Sequence, residues 1–135
     1  MELNKEQKVK LREQYIDFVK EVKNIMGDKK LSNYYSIPLQ NYLSEWGGLT
    51  FMIKDKGFAC YSTDKTRNIY LWNERDDENE NIGYLYSSLY REYKGGNITK
   101  ESVVLDILKQ KEYIFKKIKE KLQEEDNYIN SILGI

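Results

Sequence analysis

Apolar residues recur at three- and four-residue steps near the start of the chain. Over residues 4–26 they form one stripe, which consists of Leu11, Tyr15, Phe18, Val19, Val22, Ile25 and Met26. This spacing predicts an amphipathic helix with one buried face. Gly27 and Asp28 follow the stripe, and glycine commonly ends a helix at such a position.

A second, short helix is predicted over 36–48. Ser36 is a suitable N-cap residue, and Pro38 is tolerated in the first helical turn because its missing N–H would have no partner there. In a helix, one face would carry Leu39, Tyr42, Leu43 and Trp46. Gly47 can end the helix in the left-handed conformation.

The pattern then changes to short alternating segments separated by turn residues. We predict a three-stranded antiparallel meander with strands over Leu49–Lys54, Phe58–Thr63 and Arg67–Asn73. Asp55-Lys56-Gly57 suits a three-residue hairpin loop with glycine in the left-handed position. Asp64-Lys65-Thr66 forms the second turn.

Alternation along these strands separates two sets of side chains. One set is apolar and consists of Phe51, Ile53, Cys60, Ile69 and Leu71. The opposite set is largely aromatic and consists of Met52, Tyr61, Tyr70 and Trp72. Either the protein itself covers this second face, or the face is partly exposed and meets a partner.

Two helices are predicted after the meander. An acidic loop over 74–80 leads into a helix over 82–93, and the last helix begins near Thr99 and runs at least to Gln123. The apolar stripe of the last helix consists of Val104, Ile107, Leu108, Ile114, Phe115, Ile118 and Leu122. Three further residues could continue it, namely Ile129, Ile132 and Leu133.

These elements predict a single α+β domain over residues 1–135, in the order α-α-β-β-β-α-α, with a long C-terminal helix. A helix of this length extends beyond a narrow three-stranded sheet. We therefore expect the two long helices to pair antiparallel. The far end of the C-terminal helix would then be left for a partner or for a second copy of the chain.

Composition excludes most common catalytic chemistry. The chain has no histidine and one cysteine, and its 22 basic and 22 acidic residues give no net charge. It has no phosphate-binding loop and no Gly-x-Ser-x-Gly elbow. We expect no enzymatic activity, no cofactor and no metal, and we interpret Cys60 as a core residue. The lone cysteine, the charged N-terminus and the lack of a long apolar segment favour a cytoplasmic protein without a membrane span.

Tyrosine is the main functional signal, because its large ring and polar tip suit protein interfaces. The acidic loop is a second candidate contact surface, suited to a basic partner. The predicted partner-binding residues are Tyr34, Tyr35, Tyr61, Tyr70, Trp72, Asp76, Asp77, Glu78, Glu80 and Tyr84.

The stretch Ile37-Pro38-Leu39-x-x-Tyr42-Leu43-x-x-Trp46-Gly47-Gly48 resembles the signature of the SUKH immunity proteins. The resemblance implies a small α+β protein that binds and neutralises a toxin. It covers about a dozen residues by direct comparison of the motif. The family's acidic-Leu-Gly lead-in is absent, and the long helical C-terminus has no counterpart, so we do not assign the chain to the family.

These features favour a non-enzymatic protein-binding module. Its concrete form would be a small inhibitor, either an anti-defence protein of a phage or mobile element or a toxin immunity protein, acting by surface occlusion. One alternative is a nucleic-acid-associated accessory protein that uses the lysine-rich C-terminal helix. Another is a nucleotide binder with a pocket lined by tyrosine and tryptophan.

Overall fold

The structure is a computed structural model, and it describes residues 2–29, 31, 33–44, 47–54, 57–62, 68–73 and 100–135. The described helices are α1 (Lys5–Met26), α2 (Lys100–Lys109) and α3 (Lys111–Leu133), and the strands are β1 (Tyr35–Leu39), β2 (Leu49–Lys54), β3 (Gly57–Ser62) and β4 (Asn68–Asn73). The α+β class and the C-terminal helix are confirmed. The acidic loop, the helix predicted over 82–93 and Trp46 lie outside the described residues.

Helix α1 has the boundaries that the sequence predicts. Asn4 and Gln7 form a capping box, in which each side chain accepts a hydrogen bond from the other's backbone N–H. Gly27 ends the helix with a positive φ of 53°, and its N–H donates to the carbonyl of Lys23. These contacts satisfy backbone groups that would otherwise have no partner at the two ends.

The four described strands form one antiparallel sheet in the order β1-β2-β3-β4. The β2–β3 hairpin is confirmed, although pairing extends to Lys54 and Gly57, so this glycine lies in β3 rather than in the loop. Phe51 pairs with Cys60, which places two residues of the predicted apolar set on the same face. All five residues of that set are buried.

The short helix predicted over 36–48 is wrong, because β1 occupies its first part. Ile37 pairs with Phe51 and is fully buried, whereas Ser36 and Pro38 point to the other side and are exposed. Proline is accepted here because β1 is an edge strand of the described sheet, where a missing N–H costs little. Pairing with β2 therefore overrides the local capping pattern, and the described sheet has four strands instead of the predicted three.

The described helices cover one face of the sheet. Phe18 of α1 packs against Phe51, Phe58 and Phe115, with ring centroids 5.9, 6.3 and 5.5 Å away. The hydroxyl of Tyr15 donates a hydrogen bond to the carbonyl of Leu71 in β4. The core is therefore a layer between the helices and the set of strand residues predicted to be apolar.

The predicted single C-terminal helix is divided at Gln110 into α2 and α3. The expected antiparallel packing is also wrong. Phe18 stacks on Phe115, and Lys29 forms an ion pair with Asp126 at 3.2 Å. The second contact lies later than the first along both segments of the chain. Helices α1 and α3 thus run side by side in the same direction, and both pack on the same face of the sheet.

Residues 127–135 lie outside the core, since every one of them is exposed. We expect their deletion to change the free energy of unfolding by less than about 1 kcal/mol, as is usual for surface changes. Leu122→Ala, at a position of the same helix that is only 6% exposed, should cost about 2–5 kcal/mol. Denaturant melts of both variants check this, and a loss from the deletion as large as that from Leu122→Ala would place the tail in the core.

Candidate functional site

The predicted partner-binding residues do not form one surface. Tyr34 and Tyr35 lie at the start of β1, whereas Tyr61 is half-buried on the sheet face opposite the described helices. Tyr70 lies in β4 and pairs with Ala59 of β3. The remaining predicted residues other than Trp72 lie outside the described residues, namely Asp76, Asp77, Glu78, Glu80 and Tyr84.

Trp72 does not share a face with Tyr61, which corrects the prediction. Its ring stacks on Phe58 at 5.5 Å, and the Lys23 ammonium of α1 lies 5.4 Å from its centroid. The register shifts between Phe58 and Ala59, so simple alternation fails across this pair of strands. Trp72 therefore packs at the edge of the core, beside α1.

A different group of aromatic residues lies along β1 and α3. We call it the tyrosine surface, and it consists of Tyr35, Tyr42 and Tyr113. Each ring has a lysine ammonium over it, and the Nζ-to-centroid distances are 5.6 Å for Lys121–Tyr35, 5.0 Å for Lys109–Tyr42 and 5.6 Å for Lys117–Tyr113. The Tyr34 ring lies 4.9 Å from the Lys54 ammonium, and strand alternation places both residues on the opposite sheet face. Such cation–π contacts are worth about 0.5–1 kcal/mol each at exposed sites.

The tyrosine surface exists because β1 runs alongside α3 in the opposite direction. Tyr35, at the start of β1, lies under Lys121, and Gln40, just after β1, bonds to Gln110 before the start of α3. Burial raises the pKa of the Tyr35 phenol above its usual value, with nearby Glu120 adding to the increase and Lys117 opposing it. The phenol therefore stays protonated and able to donate a hydrogen bond throughout the physiological pH range.

The loop that carries Tyr42 is fixed by a buried carboxylate. Asp106 of α2 is 0% exposed and accepts hydrogen bonds from the N–H groups of Tyr42, Leu43 and Ser44 at 3.1, 2.9 and 3.0 Å. It also accepts one from the Ser44 hydroxyl at 2.6 Å. This arrangement anchors residues 42–44 to α2 and so holds the Tyr42 ring in place.

Gln110 provides a second tie at the same end of β1. Its side-chain amide donates to the carbonyl of Gln40 at 2.7 Å and accepts from the N–H of Gln40 at 2.8 Å. The Tyr42 hydroxyl donates to the Gln40 side chain at 2.7 Å. The chain after β1 is therefore joined to the junction of α2 and α3 through several directional contacts.

The exposure of Tyr42 and Tyr113 was missed from the sequence. The sequence pattern places Tyr42 on one face of a helix with Leu39 and Leu43, but the described residues form no helix there and the ring is 49% exposed. Tyr113 lies off the apolar stripe of α3, four residues before Lys117, and this i, i+4 spacing was the available signal.

The structure describes the surroundings of the metal-ligating and nucleophilic side chains. No group of three or more His, Cys, Asp or Glu side chains among them is placed to hold a metal ion. Cys60 is fully buried, and burial raises the pKa of its thiol. The thiolate that would act as a nucleophile is therefore strongly disfavoured.

Comparison with known proteins does not assign the chain to a family. No family model, no curated protein and no solved structure matches this chain. Among the described helices, none combines the length and the apolar character needed to cross a membrane.

We expect Asp106→Ala to destabilise the protein by about 3 kcal/mol or more, because it leaves buried donors without their acceptor. Asp126→Ala is the matched control, since it removes only an exposed ion pair with Lys29 and should cost less than about 1 kcal/mol. Denaturant melts measure both changes. Equal costs for the two variants would show that the Asp106 contacts do not hold the loop.

We expect Cys60 to resist alkylation in the native protein and to react rapidly once the chain is unfolded, because burial disfavours its thiolate. Raising the pH within the native range should accelerate the reaction little, since the pKa of this thiol lies above its usual value. Mass spectrometry after timed iodoacetamide treatment measures the alkylated fraction of Cys60. Ile132→Cys supplies an exposed thiol as a positive control, and equal native rates at the two positions would contradict the core assignment.

Proposed function

We propose that this chain is a non-enzymatic protein-binding module that contacts its partner through the tyrosine surface. The observation that carries the proposal is the group of tyrosine rings along β1 and α3, where Tyr35 is half-buried and Tyr42 and Tyr113 are 49% and 45% exposed. Tyrosine offers a large contact area and a polar tip at a low cost in side-chain entropy.

The surroundings of these rings support the same proposal. Each ring is already restrained by a lysine, so less conformational freedom is lost when a partner binds. Lys117 and Lys121 alternate with Glu120 and Glu124 along this side of α3. A surface with both signs of charge can orient a protein partner by electrostatic complementarity.

The partner would contact side chains rather than extend the sheet. Strand β1 is a short edge strand among those described, and Pro38 removes one backbone donor from it. Natural edge strands use such features to prevent pairing with another strand. The tyrosine surface beside this strand therefore offers a more suitable contact than the strand's backbone does.

Within this class, we favour a small cytoplasmic inhibitor that acts by surface occlusion. A compact domain without a catalytic set can block another macromolecule simply by covering its surface. Its size and composition suit an anti-defence protein of a phage or mobile element, or a toxin immunity protein. The end of α3 would also be available for a second copy of the chain.

The lysine-rich helix supports nucleic-acid binding less well. Lys116 and Lys117 lie 3.9 and 3.6 Å from Glu120, while Lys109 and Lys121 lie over tyrosine rings. These lysines thus already have intramolecular contacts, and acidic residues interrupt the row. Salt-dependent retention on a nucleic-acid column would favour this alternative, and a nucleotide-induced increase in melting temperature would favour a nucleotide binder.

We expect the double variant Tyr42→Ser/Tyr113→Ser to weaken partner binding by at least about tenfold, equivalent to 1.4 kcal/mol, with little loss of stability because both rings are exposed. The partner is first obtained by affinity capture with the unaltered chain, and binding of the purified partner is then measured by calorimetry. Val9→Ser is the matched control, because Val9 is an exposed apolar residue of α1 outside the tyrosine surface.

A partner that binds the double variant and the unaltered chain equally would contradict the tyrosine surface as the contact. Tyr61→Ser tests the opposite sheet face in the same assay. If only Tyr61→Ser weakened partner binding, the contact would lie on the sheet face opposite the described helices, which the sequence analysis offered as a possible partner surface.

A further inference from the structure

The chain leaves β1 as an irregular loop that is held by groups of α2 and of its junction with α3. We call residues 40–44 the anchored loop. Asp106 accepts hydrogen bonds from three consecutive backbone N–H groups, which are those of Tyr42, Leu43 and Ser44. At the other end of the loop, Gln110 bonds to both the N–H and the carbonyl of Gln40. The backbone of the loop is therefore fixed at both ends without regular secondary structure.

The carboxylate that fixes the loop does not serve to pack the loop's side chains into the core. A fully buried carboxylate is tolerated only when hydrogen bonds compensate for its lost hydration. Asp106 receives these bonds from the loop, including one from the Ser44 hydroxyl at 2.6 Å. The side chains of Tyr42 and Leu43 nevertheless remain 49% and 51% exposed. The arrangement thus orders a segment of the surface.

The hydrogen bonds of the anchored loop limit what it can recognise. Successive backbone N–H groups can form a binding site for an anion such as a phosphate, but here the carboxylate of Asp106 occupies them. The Tyr42 hydroxyl donates to the side chain of Gln40 at 2.7 Å. A partner therefore meets the ring of Tyr42 and the aliphatic side chain of Leu43, and an apolar pocket suits both better than a phosphate group does.

The fixed backbone distinguishes Leu43 from other exposed leucines. A single exposed leucine carries little information, because apolar atoms make up much of any protein surface. The N–H of Leu43 is bonded to Asp106 at 2.9 Å, and the adjacent Tyr42 ring is exposed as well. A loop that is ordered before binding avoids the entropic cost of becoming ordered in the complex. The anchored loop thus presents two neighbouring apolar groups at a low cost.

Lys109 adds a charge beside the same loop. Its ammonium lies 5.0 Å from the centroid of the Tyr42 ring. Within the described part of the chain, this ammonium forms no ion pair with a carboxylate. A carboxylate on the partner would therefore meet a complementary charge next to the ring.

We propose that the anchored loop inserts Leu43 and Tyr42 into an apolar pocket of a protein partner, and that a carboxylate at the rim of this pocket faces Lys109. Asp106 is the positioning residue of this contact, because it holds the loop without touching the partner. The inference rests on the proposed function, since the Tyr42 ring belongs to the tyrosine surface.

Calorimetry tests the contact, with the partner that the unaltered chain captures and that is then purified. We expect Leu43→Ser to weaken binding by at least about fivefold, because burial of the exposed half of this side chain is lost. Leu133→Ser makes the same change at another exposed leucine and should leave binding unchanged. Lys109→Glu should weaken binding at low salt more than Lys8→Glu does, which reverses an exposed charge of α1.

A double-mutant cycle tests the positioning role of Asp106. Asp106→Asn keeps the shape of the side chain but replaces an acceptor oxygen with a donor. If Asp106 acts through the loop, this change weakens binding of the folded chain less in a Tyr42→Ser/Leu43→Ser background than in the unaltered one. Ser44→Ala removes only the hydroxyl bond to Asp106, so it provides the same comparison if Asp106→Asn does not fold.

The proposal is overturned if Leu43→Ser binds as the unaltered chain does, or if it weakens binding no more than Leu133→Ser. Equal effects of Asp106→Asn in the two backgrounds would also overturn it. So would a large loss of stability in Leu43→Ser, which would place this side chain against another part of the same protein. A partner that responds to Tyr113→Ser but not to Leu43→Ser contradicts only the loop contact, whereas a chain that captures no partner contradicts the proposed function as well.

Discussion

The aromatic contacts of Phe18 are the interaction on which the rest of the structure depends. This ring of α1 contacts Phe51 of β2, Phe58 of β3 and Phe115 of α3, so one side chain joins the first helix, the sheet and the last helix. These rings pack at the separations typical of favourable aromatic pairs. Because both long helices pack on the same sheet face at this point, α3 is held beside β1.

The tyrosine surface follows from that placement. Strand β1 and helix α3 run in opposite directions, and Asp106 and Gln110 fasten the chain just after β1 to α2 and to the junction with α3. The rings lie at the rim of this assembly, where burial is incomplete and lysines can reach them. The proposed contact surface is therefore supported by the same buried groups that stabilise the fold, which gives a partner a rigid surface to bind.

Sequence pattern was most informative where neighbouring signals agreed. The stripe and caps of α1, the β2–β3 hairpin and the apolar strand set were all predictable, because burial on one side imposes a regular period. Of the two adjacent tyrosines that the sequence singles out, Tyr35 lies beside α3 and Tyr34 is exposed on the opposite sheet face. The rest of that surface was not predictable, because Tyr42 and Tyr113 come together only through β1 and α3.

By itself, the sequence determined the α+β class, the amphipathic helices and the residues of the strands that form the core. These properties depend on local periodicity and on the apolar content of each segment. Only the tertiary structure decided that Ile37 lies in a fourth strand, that Trp72 packs beside α1, and that the two long helices run in the same direction. Each of these outcomes depends on pairing between distant segments, where burial against the sheet outweighs local preference.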